Sequence, residues 1–114
     1  MADYDLDVAE LCFRQEVYVY CVFFCHLALE KLLKAIVLEE LGLEEPPYIH
    51  NLSGLSEIAG LELPDEYAVF LARLSTRSVD TRYPEFLSDY DKSLGETTLL
   101  RTNEVFQWLK SRLM

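Results

Sequence analysis

The sequence predicts an all-α fold, an up-and-down bundle of four to five helices in a single domain over residues 1–114. Three observations carry this. Only four glycines and four prolines are present, and residues 1–41 contain neither, whereas turn-rich β architectures use both heavily. Hydrophobic residues make up 51% of the chain, enough for one substantial core without metals or disulfides. Apolar residues also recur at helical rather than alternating spacing.

Taken in order, Asp3 or Asp5 caps a first helix running to about Phe13, with Leu6, Ala9 and Phe13 near-aligned. The early acids suit the positive end of its dipole. Arg14-Gln15-Glu16 reads equally as a tight turn or a continuation. A second helix runs from about Val17 to Leu41 and stops at Gly42. Glu44-Glu45-Pro46-Pro47 must be a loop, because tandem prolines cannot enter a helix interior. A short third helix covers about Leu52 to Ala59 and stops at Gly60. Pro64-Asp65 opens a fourth to about Val79, with Tyr67, Phe70, Leu71 and Leu74 on one face. Pro84 pushes Tyr83 toward extended geometry, and residues 84–95 read as irregular. A fifth helix runs from about Glu96 to Arg112, with Leu99, Val105, Phe106 and Leu109 as its apolar members.

The second helix raises a question of charge. Val17–Cys25 carries none, yet His26, Glu30, Lys31 and Lys34 follow at once. His26, Glu30 and Lys34 lie four apart and share one stripe, while Lys31 projects about 100° away. Glu30 precedes Lys34 in the favourable orientation for a helical ion pair. The stripe reads as the exposed polar edge of an amphipathic helix. The all-round apolarity of Val17–Cys25 is a separate matter. A helix apolar on every side is buried on every side. That predicts a second covering surface, most simply a homodimer interface.

Net charge is −10, from twenty acids against ten Lys and Arg, which disfavours nucleic-acid binding by the surface as a whole. The distribution is uneven. No Lys or Arg occurs from Ala35 to Ala72, and then Arg73, Arg77 and Arg82 fall within ten residues. This basic island is a candidate anion or partner surface. No basic leader opens the chain, and the thirteen-residue apolar run Val17–Leu29 falls short of the roughly twenty residues that cross a bilayer. Membrane insertion is therefore not expected. Three cysteines, Cys12, Cys21 and Cys25, fit a reducing cytoplasm. Cys21, Cys25 and His26 could suggest zinc, but no second cysteine pair completes four ligands, so buried free thiols are expected and no metal. With no Gly-rich phosphate loop, an autonomous ATPase or Rossmann enzyme is excluded, and no cofactor is expected.

Phe24-Cys25-His26-Leu27-Ala28-Leu29-Glu30-Lys31-Leu32-Leu33-Lys34-Ala35 resembles the A-x-E-K-x-L-K-A helix of HEPN domains (higher eukaryotes and prokaryotes nucleotide-binding). His50-Asn51-Leu52 resembles the family's His-x-Leu start to the next helix. Arg82-Tyr83-Pro84 resembles the Arg-Tyr-Pro element of one bacterial and archaeal branch. Order and spacing agree over about residues 5–112. The resemblance implies a dimerising helical bundle. It also implies a minimal nucleotidyltransferase as partner in toxin–antitoxin-like pairs, with nucleotide or RNA as ligand. Tyr83 becomes a candidate for nucleotide transfer by that partner.

The resemblance also implies a candidate activity, since many HEPN proteins are metal-independent ribonucleases with an arginine followed, about four to six residues on, by histidine, and a composite site formed across the dimer. The candidate arginine here is Arg77, but Arg82 stands where histidine could have stood, and no histidine follows His50. Cleavage by 2′-hydroxyl attack needs a group that exchanges a proton near neutral pH, which histidine does and arginine does not. The expectation is a non-catalytic HEPN subunit with Arg73, Arg77, Arg82, Tyr83, Lys34 and Glu30 as binding residues. The alternatives are a ribonuclease toxin with an altered site using Arg77, Arg82, Tyr83 or His50, and a structural homodimer without ligand.

Overall fold

The computed structural model describes residues 2–80 and 90–113. Within them the chain forms five helices and no strand: α1 Ala2–Arg14, α2 Tyr18–Leu41, α3 Leu52–Ile58, α4 Asp65–Asp80 and α5 Lys92–Lys110. Helix α2 is the centre of the bundle and packs against each of the other four. Helices α1 and α2 are antiparallel, with the Phe13 ring tilted against Tyr18 at one end and Asp5 ion-paired with Lys31 toward the other. Helix α5 runs parallel to α2 and antiparallel to α1, since Lys110 meets Asp3 at 3.0 Å and Gly95 lies against Tyr18. Helix α4 is antiparallel to α5, as Glu66–Arg101 and Tyr67–Trp108 contacts show. The core is aliphatic with one large ring. Leu29, Leu33, Ile36, Leu52, Leu55, Leu71, Leu74, Val105, Phe106 and Leu109 are all fully buried.

The helix ends follow from local chemistry. Glu16, Gly42 and Gly60 all adopt positive φ, at 61°, 62° and 70°. Each sits just past a helix, and the next amide reaches back to close the end: Val17 to the Cys12 carbonyl, Leu43 to Leu38, Leu61 to Ser56. Arg14-Gln15-Glu16 is thus a turn, with a glutamate in the left-handed slot that glycine fills at the other two. Asn51 caps α3 by accepting from the Ser53 and Gly54 amides.

Helix α1 begins at Ala2, so Asp3 and Asp5 lie within its first turn and neither caps it. Two further expectations need correction. Helix α5 begins at Lys92, not Glu96, so residues 92–95 are helical rather than irregular. Asp91 caps it through the Leu94 amide at 2.9 Å, and Gly95 sits inside its first turn. A Cβ at Gly95 would lie 3.0 Å from the Tyr18 ring, so this glycine permits close packing instead of ending a helix. The second correction concerns the α2 stripe, which is not an exposed edge. His26 and Glu30 are buried and Lys34 is partly so. Exposed apolar residues instead mark other faces: Tyr4 and Leu11 on α1, and Val17 and Tyr20 at the start of α2. A single copy therefore leaves part of the uncharged Val17–Cys25 segment in water.

Candidate functional site

Two clusters gather the residues that the sequence singles out. The first is centred on Glu30. One of its carboxylate oxygens accepts from Lys34 Nζ at 2.9 Å and lies 2.9 Å from His50 Nδ1. The other faces His26 Nδ1 at 3.5 Å. The α2 spacing places His26, Glu30 and Lys34 together. The loop between Gly42 and Asn51 then brings His50 back over them, twenty residues on from Glu30. Burial alone would raise the Glu30 pKa. Hydrogen bonds from Lys34 and His50, with the charges of Lys34 and His26, outweigh it and hold the carboxyl below its ordinary range. Glu30 is therefore ionised at neutral pH and accepts only. Lys31 stands apart and reaches α1, where it forms an ion pair with Asp5 at 2.7 Å.

The second cluster lies between α4 and α5. Arg73 and Arg77 are four apart and share one face of α4. They line a groove of about 130 Å³ with Phe70 and Leu74, opposite Leu94, Thr97 and Thr98 of α5. Neither arginine has a carboxylate within 4 Å among residues 2–77 and 90–113, whose side chains are described. Two such guanidinium groups beside two threonines suit an anion, since arginine presents a planar fork of donors that matches phosphate. The end of α4 is held in place by Tyr90, whose hydroxyl donates to the Arg77 carbonyl at 2.7 Å. Sequence reasoning finds the arginines from their spacing. It misses Thr97, Thr98 and Tyr90, which come from a helix and a residue that only tertiary packing brings near.

The two clusters occupy different faces of α4. Ser75 accepts from the Leu52 amide at 3.0 Å and so faces α3, on the side from which His50 descends. Arg73 and Arg77 lie about 200° around the helix from it. Neither histidine lines the arginine groove. Arg82 and Tyr83 lie outside the described residues. Cys21 and Cys25 are buried free thiols, with Cys12 partly exposed. A bond to Cys21, together with burial, pushes the Cys25 thiol well above its usual range. No three His, Cys, Asp or Glu side chains are disposed to hold a metal ion among the described residues. No helix among them is long and apolar enough to cross a membrane.

Comparison with known proteins agrees with this architecture. The crystal structure of TT1696 from Thermus thermophilus superposes with a TM-score of 0.81 at 20% identity, over 98% of this chain and 92% of that one. At that identity the likeness establishes the fold alone. No curated protein matches. A family model described as HEPN domain matches residues 1–112. With nearly every residue covered and the five-helix bundle observed, the chain belongs to the HEPN domain family.

Proposed function

We propose that this HEPN-domain protein is a non-catalytic binding subunit. It takes a nucleotide or another phosphorylated anion at the α4–α5 groove. It serves as the partner or substrate-binding subunit of a minimal nucleotidyltransferase in a toxin–antitoxin-like pair. The observation that carries this reading is the separation of charge from proton chemistry. Arg73 and Arg77 line the groove with no carboxylate partner among the residues whose side chains are described, while both histidines gather at Glu30. An anion is held at the groove, but no side chain lining it exchanges a proton near neutral pH. A space of about 130 Å³ suits a phosphate group, with the rest of a nucleotide lying outside it. The exposed Tyr4, Leu11, Val17 and Tyr20 support self-association through the α1–α2 side.

Calorimetric titration with ATP tests the groove. Arg73→Ala and Arg77→Ala are each expected to weaken binding about tenfold, the scale of one lost charged hydrogen bond. Unchanged affinity in both variants would remove the groove from the reading. Co-purification with a nucleotidyltransferase-domain protein encoded beside this chain tests the partnership. Metal-free RNA cleavage that disappears on Arg77→Ala would sink the non-catalytic assignment. Sedimentation is expected to give a dimer at micromolar concentration, and Tyr20→Glu to shift it toward monomer. A wild-type monomer under those conditions would count against the apolar face as an interface.

A further inference from the structure

The Glu30 cluster has a chemistry of its own. Because Glu30 is ionised, the proton on the shared edge belongs to His50, whose Nδ1–H donates to Oε2 at 2.9 Å. A neutral imidazole carries one N–H, so the lone pair is placed on Nε2. Nε2 has no hydrogen-bond partner among the described residues, and the His50 side chain is 74% exposed. The carboxylate behind it is only 10% exposed. Lys34 bonds the same carboxylate oxygen at 2.9 Å and helps hold it in position. An orienting carboxylate, a locked tautomer and an accessible nitrogen make an activated nucleophile.

We propose that His50 is a phosphoryl-acceptor site, with Nε2 taking a phosphoryl group from a small donor of the N–P or acyl-phosphate class. In the step, the Nε2 lone pair attacks phosphorus and the Nε2–P bond forms. The bond from phosphorus to the leaving group breaks, and its electron pair departs with that group. The ring gains positive charge, which the Glu30 carboxylate offsets through the Nδ1–H bond. Lys34 gives one N–H to Glu30 and keeps two more donors for the incoming anion. His26 meets the same carboxylate, but it is buried and out of reach of a donor. The inference rests on α2 and the loop before α3, so it stands or falls separately from the arginine groove.

The test uses the full chain with potassium phosphoramidate in the presence of EDTA, where ammonia is the leaving group. Peptide mapping is expected to place an acid-labile phosphate on His50 alone. The native chain should label roughly tenfold faster than the urea-unfolded chain, in which Glu30 no longer orients the ring. His50→Gln should abolish labelling, and Glu30→Gln should slow it to the unfolded rate. Long-range ¹⁵N–¹H correlation of the imidazoles should show His50 as the Nδ1–H tautomer at a pH where it is neutral. An Nε2–H tautomer would overturn the proposal. So would a native rate no faster than the unfolded one, or labelling that persists in His50→Gln. If Glu30→Gln does not fold, the native-to-unfolded ratio and the tautomer decide.

Discussion

Phe106→Ala is expected to cost about 3–5 kcal/mol of stability. Phe106 is the largest fully buried side chain among the described residues, set in α5 where that helix packs on α2. Truncation removes the transfer free energy of a ring and leaves a cavity that surrounding helices fill only in part. Against a total of about 5–15 kcal/mol for a small domain, that loss brings the bundle near its threshold. Thermal unfolding should fall by about 12–20 °C, and the urea midpoint should drop with an unchanged slope. Leu100→Ala on the same helix is the control. Leu100 is 60% exposed, so its truncation should stay within about 0.5 kcal/mol. A loss below about 1 kcal/mol for Phe106→Ala would mean that α5 does not close the core as described.

The second large effect is electrostatic. Glu30→Ala should destabilise by about 3 kcal/mol, because it leaves partly buried Lys34 without its counter-ion and opens a space beside buried His26. Lys34 is one-fifth exposed and can turn toward water, which keeps the cost at the lower end of the range for broken buried pairs. The same group sets a pH dependence. The folded-state pKa of Glu30 is lowered, so its contribution is fully present above the unfolded value of about 4.3. The contribution is lost as pH falls through the folded pKa. In Glu30→Gln that acid-side decline should be shallower than in the wild type. Parallel urea titrations at neutral and acidic pH would check both signs, and identical pH slopes in the two proteins would refute the assignment.

Much of the fold is legible in the sequence because its boundaries are made by single residues. Gly42 and Gly60 end α2 and α3 as their left-handed φ requires, and Pro64 precedes α4. The start of α5 is misread for the same kind of reason. Residues 84–95 read as irregular, but Gly95 lies inside α5, where a Cβ would sit 3.0 Å from the Tyr18 ring. That information belongs to α2, not to the local sequence. The Asp91 cap is the available local signal.

The candidate site divides along the same line. Spacing alone aligns His26 with Glu30 and Lys34, and Arg73 with Arg77. Spacing cannot show that the first set is buried, since His50 covers it from the far side of a loop. Nor can it show that the second set faces a groove, since the opposite wall is Thr97 and Thr98. Side-chain pairs within a helix are readable, whereas contacts between helices are not. Arg82-Tyr83-Pro84 helps to mark the family and lies outside the described residues.

The parallel pairing of α2 and α5 also bears on how the chain comes into being. A helix made early rests on one made later, and Asp3 meets Lys110 at a sequence separation of 107. During synthesis α1 and α2 emerge before α5 and can close as a hairpin through local contacts. The face of α2 that packs on α5 has that partner only once residues 92–110 have been made. Completion of the core thus waits on a segment translated about fifty residues after α2 ends.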